Sequence, residues 1–182
     1  MKKVSVVILN WNGEEMLRRF LPSVVACSQG EGVEVCVADN ASSDGSLALL
    51  ETSFPSVRLV KLDANYGFAE GYNRALSQLD SEYVVLLNSD VEVTPHWLEP
   101  LVEYMDEHSE VAACQPKLLN QRNKSFFHVI YPGSAFEPHL LLKVLCRFLC
   151  GIAFDKGVEG LPLFFIGDDG IGEKAYRKDG AG

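Results

Sequence analysis

The chain has 182 residues, 47% of them apolar in type, which suffices for about one domain with a substantial core and shows no compositional sign of disorder. A formal net charge of −9 leaves no basic stripe to displace counterions, so a nucleic-acid partner is not expected. Five cysteines (Cys27, Cys36, Cys114, Cys146, Cys150), odd in number and scattered among apolar runs, read as reduced core thiols and point to the cytoplasm.

Lys2 and Lys3 precede only a short apolar run, 4–9, and then Asn-Trp-Asn, too short and too polar for a signal sequence, so no export is expected. Residues 3–9 read as a buried strand. The stretch 14–27 sets Met16, Leu17, Phe20, Leu21, Val24 and Val25 on one helical face, with Pro22 expected to kink or restart the helix. A second strand (33–38), a second helix (46–53), a third strand (57–62) and a third helix (68–79) follow, the last carrying Phe68, Tyr72, Ala75, Leu76 and Leu79 at helical spacing. "VVLLNSDVEV" (84–93) supplies the fourth strand. Thr94 and Pro95 are placed to open a fourth helix through "HWLEPLVEYMDEH", and 111–114 is a short fifth strand.

Strand and helix in alternation imply a parallel sheet covered on both faces. Ligands in such sheets bind outside the carboxyl ends of the strands. Polar clusters stand at those ends: "NWNG" (10–13), "DNASSDGS" (39–46) and "NSD" (88–90). A single cluster would be a turn; several at one edge suggest a site.

Asp39, after a run of strand residues, can accept the imide N–H of uracil or thymine or the paired N–H groups of guanine. The plainer possibility is an Asx-turn, with Ser43 or Asp44 capping the next helix; Asp44 is better suited to the cap. In "NYGFAEGYNRAL", Gly67 lets the backbone pass close to a ligand and the helix start offers free N–H groups to anionic oxygens, unless Asn65 simply caps the helix. Asn88 and Asp90, two apart in an extended segment, would face one side and could share a hard divalent cation, Mg²⁺ or Mn²⁺, with a diphosphate. Alone, Asp90 would repel phosphate; a bridging cation reverses the sign.

Together "VSVVILNWNG", "VADNASSDGS", "NYGFAEGYNRAL" and "VVLLNSDVEVTPHWL" resemble, in order and spacing, the nucleotide-binding half of family 2 glycosyltransferases of the GT-A fold, and most closely the rhamnosyltransferase-like members. The likeness covers about residues 2–124. It implies a Rossmann-like, mostly parallel sheet flanked by helices, a nucleotide-sugar donor, a cation at a DxD-type motif, and inverting transfer to a glycan or lipid-linked acceptor in cell-envelope polysaccharide synthesis. By this resemblance Asn10, Trp11 and Asn12 meet the nucleotide, Asp39 binds the base, Asn65 and Gly67 form the donor-side loop, and Asp90 binds the metal. Asn88 stands where the fuller motif has a first Asp.

The chain thus divides into a nucleotide-sugar-binding half, 1–124, and an atypical or incomplete acceptor-side segment, 125–182. In the latter, "FFIGDDGIGEKAYRKDG" offers Asp168 and Asp169 as the acidic pair from which the resemblance draws its catalytic base, although Arg177 lies further on than the family pattern has it. The same residues would serve as a Gly-rich surface turn. Residues 139–154 read as a helix whose apolar run, carrying Lys143 and Arg147, either faces the core or lies on the inner face of a membrane. Two rivals remain. A dinucleotide-dependent oxidoreductase is weakened by "NWNGEE", which is no GxGxxG, and a nucleotidyltransferase by the want of a basic Gly-rich loop there; a donor-binding fragment without activity fits the unusual second half.

Overall fold

The computed structural model describes residues 2–108, 113–114 and 152–155. Strand β1 (Lys2–Asn10) leads to helix α1 (Glu14–Cys27), then β2 (Val33–Asp39), α2 (Ser46–Ser53), β3 (Arg58–Lys61), α3 (Gly67–Leu76), β4 (Ser81–Leu87) and α4 (Glu99–Glu107). Two short strands, β5 (Ala113–Cys114) and β6 (Ile152–Asp155), complete one six-stranded sheet ordered β3-β2-β1-β4-β6-β5. The first four positions in that order are parallel, and β6 runs antiparallel to both β4 and β5.

Alternate residues of each strand feed opposite layers, as the period of two demands. Val4, Val6, Ile8, Val35, Val37, Val85 and Leu87 pack with Leu17, Leu21 and Val24 of α1, Leu49 and Leu50 of α2, and Met105 of α4. Val7, Cys36, Ala38, Val60, Val84 and Leu86 pack instead under Tyr72, Ala75 and Leu76 of α3. Because both faces are covered, the central strands are buried almost throughout and read as continuous apolar runs.

Several expectations need correction. Helix α1 does not restart at Pro22 but runs through it as one element, and Met16 is turned outward, 39% exposed. Helix α4 does not start at Thr94 and Pro95: it opens at Glu99 with Pro100 in its first turn, and His96 is held at φ 60, which no helical residue adopts. The segment between is an irregular link in which Val93 and Leu98 are buried and Trp97 donates its indole N–H to Ser28 Oγ at 3.1 Å. Burial of these apolar side chains against α1 decides the path, not the local capping signal. Residues 152–154, expected in a helix, belong to β6; the rest of that span, with Lys143, Arg147, Cys146 and Cys150, lies outside the described residues. Among the described residues no helix is long and apolar enough to cross a membrane.

The carboxyl ends of β1 and β2 are joined through one helix-capping carboxylate. Asp44 Oδ1 accepts the amide N–H of Ser46 and Oδ2 that of Glu14, each at 3.0 Å, so a single side chain serves the first turns of both α1 and α2. Desolvation opposes ionisation, but the hydrogen bonds given by Ser46 and Glu14 outweigh it and hold Asp44 below its ordinary value. Asp44→Ala is expected to lower unfolding stability by about 1–2 kcal/mol in urea denaturation, since two helix starts lose a partner. A carboxyl whose folded pKa is depressed contributes above its unfolded value, here 3.8, and ceases to as pH falls through the folded one. The gap between wild type and variant should therefore be full at neutral pH and close in strong acid; a gap that persists unchanged there contradicts the assignment.

Candidate functional site

Strand order reverses between β1 and β4: the chain runs outward from β1 to β2 and β3, then returns to β1's other side. The crevice above such a switch point is where open α/β sheets hold ligands. The strands part there, and Tyr72, 1% exposed, fills the gap from below. Its hydroxyl accepts from the Leu9 amide at 3.4 Å and donates to the Leu87 carbonyl at 3.2 Å. The spacing of Tyr72 gives away its core position but not this role.

Parallel register sets Asn10 opposite Asp39, both 1% exposed. Asn10 Nδ2 donates to Asp39 Oδ1 at 3.0 Å and to Ser42 Oγ at 3.1 Å, while the Ser42 amide donates to Asp39 Oδ2 at 2.9 Å. Asp39 is therefore an Asx-type anchor of its own loop as well as a strand-end acid, and each of its oxygens keeps one lone pair that these bonds do not use. Asn10 Oδ1 is buried with no partner, a deficit of about 1–3 kcal/mol of the kind that functional sites carry.

The loop after β1 is tied to the loop after β2 by further bonds. The Asn12 amide donates to Ser42 Oγ at 2.9 Å, and Asn12 Oδ1 accepts the Ser43 amide at 2.7 Å. Asn12 (φ 50) and Ala41 (φ 59) both lie in the left-handed region, so two sparsely populated backbone conformations stand side by side at this edge. Between the tied residues Trp11 projects outward, 58% exposed.

Beyond β3, the cap position of α3 is Tyr66, and Asn65, one residue earlier, accepts the Gly67 amide on its Oδ1 at 2.8 Å; Gly67 takes φ 69, where a glycine is at ease. Asn40, not among the candidate residues above, holds this loop to β2 with hydrogen bonds to Asn65, Tyr66 and Gly67. Its signal was adjacency to Asp39 at the end of a buried strand, where a polar residue must find partners.

Past β4, Asn88 is half-buried and Asp90 exposed. They do not share an extended segment: the strand ends at Leu87, and Ser89 and Asp90 form a turn. No hydrogen bond or ion pair engages Asp90 among the described residues. Nor do three or more His, Cys, Asp or Glu side chains gather there as a ready-made metal cage. The candidate base residues Asp168 and Asp169 lie outside the described residues. A separate cavity of about 410 Å³ at the opposite sheet edge, lined by Lys2, Ser28, Gln29 and Arg58 among others, includes none of Asn10, Asp39, Asn65, Asn88 or Asp90.

Among solved structures, the fold is similar to that of Staphylococcus aureus TarS residues 1–349 in complex with UDP-GlcNAc, with a TM-score of 0.53, 27% identity, and coverage of 59% of this chain and 32% of that one. It is also similar to the mannosyltransferase PcManGT from Pyrobaculum calidifontis in complex with GDP-Man and Mn²⁺, with a TM-score of 0.61, 19% identity, and coverage of 84% and 44%. These likenesses bear out the expected GT-A architecture. In sequence, the chain is 27% identical over 147 residues to the N-acetylglucosaminyl-diphospho-decaprenol L-rhamnosyltransferase of Mycobacterium tuberculosis (strain ATCC 25618 / H37Rv). That alignment takes in 75% of this chain and 46% of the relative, so the chain spans about half the length of the protein it matches. The model of glycosyl transferase family 2 matches residues 5–154, most of the chain, and this protein belongs to that family.

Proposed function

We propose that the carboxyl edge of this sheet binds a nucleoside-diphosphate sugar and that the protein transfers the sugar, with inversion, to a hydroxyl of a glycan or lipid-linked acceptor. What carries the proposal is the convergence of four strand-end loops, 10–12, 39–43, 65–67 and 88–90, at the switch point of a family 2 sheet. UDP-GlcNAc on TarS and GDP-Man on PcManGT support the donor class, and the decaprenol-linked acceptor of the mycobacterial relative supports the acceptor class. Cell-envelope polysaccharide synthesis at the cytoplasmic face of a membrane is the setting this chemistry suits.

In this reading the remaining lone pairs of Asp39 take the N–H edge of the base, and Trp11 and Asn12 flank the nucleotide. Asn65 and Gly67 face the sugar-diphosphate. A magnesium or manganese ion fits Asp90: a lone exposed carboxylate with an amide oxygen two residues away suits a cation that takes its other ligands from diphosphate and water. When bound, such an ion supplies charge neutralisation for the departing diphosphate. The acceptor oxygen then bonds to the anomeric carbon as the carbon–oxygen bond to the diphosphate breaks, and a carboxylate removes the hydroxyl proton. We assign that proton to Asp168 or Asp169.

Calorimetric titration with UDP, dTDP and GDP, with and without Mn²⁺, tests the assignment. Mn²⁺ should tighten diphosphate binding by about 10-fold or more in the wild type, and Asp90→Ala should abolish this gain while changing stability by no more than about 0.5 kcal/mol. A folded variant that keeps the Mn²⁺ gain removes Asp90 as metal ligand. Asp39→Asn is expected to lose about 1–3 kcal/mol of stability, because an amide group cannot accept from both Asn10 and Ser42 with a charge. It should also weaken nucleoside diphosphates more than pyrophosphate. Equal weakening of the two would show that Asp39 does not read the base. Released diphosphate from a panel of nucleotide sugars measures turnover; binding without turnover in the presence of acceptor would favour a donor-binding fragment.

A further inference from the structure

Asn40 follows Asp39 at the end of β2 and is 2% exposed. Its Nδ2 donates to Asn65 Oδ1 and to the Gly67 carbonyl, each at 2.9 Å, and its Oδ1 accepts the Tyr66 amide at 3.0 Å. A side-chain amide has two donor hydrogens, and both are spent on one tripeptide. Helix α3 comes so close over this amide that a Cβ on Gly71 would stand 3.1 Å from Asn40 Nδ2 and 3.0 Å from Leu9 Cδ2. A glycine within a helix costs up to about 1 kcal/mol relative to alanine, and here it leaves room that a methyl group would take only by displacing Leu9 or Asn40 by a few tenths of an ångström.

The same tripeptide is braced from outside. The Tyr66 hydroxyl donates to Asp63 Oδ1 at 2.9 Å, and the Arg74 guanidinium lies 3.8 Å from the Tyr66 ring centroid. Asn65 and Gly67 themselves are exposed, and water could satisfy their backbone groups. A loop that needed only to be solvated would not consume a buried amide. The arrangement instead fixes one loop conformation.

We propose that Asn40 is a positioning residue of the donor site: without touching ligand, it holds Asn65, Tyr66 and Gly67 in the conformation that receives the nucleoside-diphosphate sugar, acting through Asn65. This rests on the donor-site function proposed above.

The test compares wild type with Asn40→Ala, Asn65→Ala, their double variant and Gly71→Ala. Amide hydrogen exchange is read at residues 66 and 67, and affinity is read for UDP, dTDP and GDP with Mn²⁺. In Asn40→Ala the Tyr66 and Gly67 amides should exchange at least about 10-fold faster while Val6 and Val85 stay protected, and Kd should rise about 10-fold, the equivalent of one net hydrogen bond. Asn65→Ala should weaken binding similarly, and the double variant should be no weaker than the weaker single, as expected for one coupled unit. Gly71→Ala, which crowds Asn40 from above, should shift exchange at 66 and 67 in the same direction. Faster exchange with unchanged Kd would reduce Asn40 to a structural residue and overturn the proposal, as would unchanged exchange at 66 and 67 or losses that multiply in the double variant. Wild-type protein that binds none of the diphosphates would instead sink the donor-site function itself, and with it this role.

Discussion

A carboxylate buried at the end of a strand must be given donors, and Asp39 imposes that requirement on the whole ligand edge. At 1% exposure an unpartnered aspartate would cost several kcal/mol or give up its charge. Parallel register supplies one donor by placing Asn10 directly across from it. The second is the Ser42 amide, which reaches Asp39 from a tight turn in which Ala41 takes φ 59. An alanine there stores about 1–2 kcal/mol of backbone strain, offset by the charge-assisted hydrogen bonds that the turn makes possible.

From that anchor the loops bind each other sideways. Ser42 and Ser43 hold Asn12, Asp44 serves the starts of α1 and α2, and Asn40 holds the entry to α3. Tyr72, reaching up from α3, closes the gap between β1 and β4. Most of these partners come from loops or strand ends of different βα units, so the edge behaves as one hydrogen-bonded rim on a rigid sheet. Rims of that kind suit a site that must present polar groups in fixed places without reorganising when ligand arrives.

The sheet was legible in the sequence because β1, β2 and β4 are apolar runs of strand length, and α1 and α3 carry a 3.6-residue apolar face. Asp44 at a helix start was legible for a similar reason, although the cap position itself falls to Gly45 and Asp44, one residue before it, accepts the first helical N–H. What failed was local chemistry contradicted by packing. Thr94 and Pro95 form a sound capping pair, yet Val93, Leu98 and half-buried Trp97 draw the chain along α1 and delay α4 to Glu99. Asn88 and Asp90 were sound as a pair at a strand end but not as an extended pair, because the ladder to β1 stops at Leu87. Asn40 escaped notice because its partners lie some 25 residues on, in a loop whose position depends on where β3 and α3 fall.

The carboxylates at this edge are not equivalent, and their differences locate the charge. Asp39 is closed by Asn10 and Ser42, Asp44 by two helix starts, and Asp63 by the Tyr66 hydroxyl, which holds its carboxyl below the usual range. Asp90 alone of these four has no such donor among the described residues. A diphosphate approaching these four would therefore meet negative charge already hydrogen-bonded to the protein at Asp39, Asp44 and Asp63, and undamped repulsion at Asp90 unless a cation stands between. The net acidity of the chain is thus compatible with a small anionic ligand. The rim supplies donors to Asp39, Asp44 and Asp63, and Asp90, the one of these four left open among the described residues, is where we propose the bridging cation.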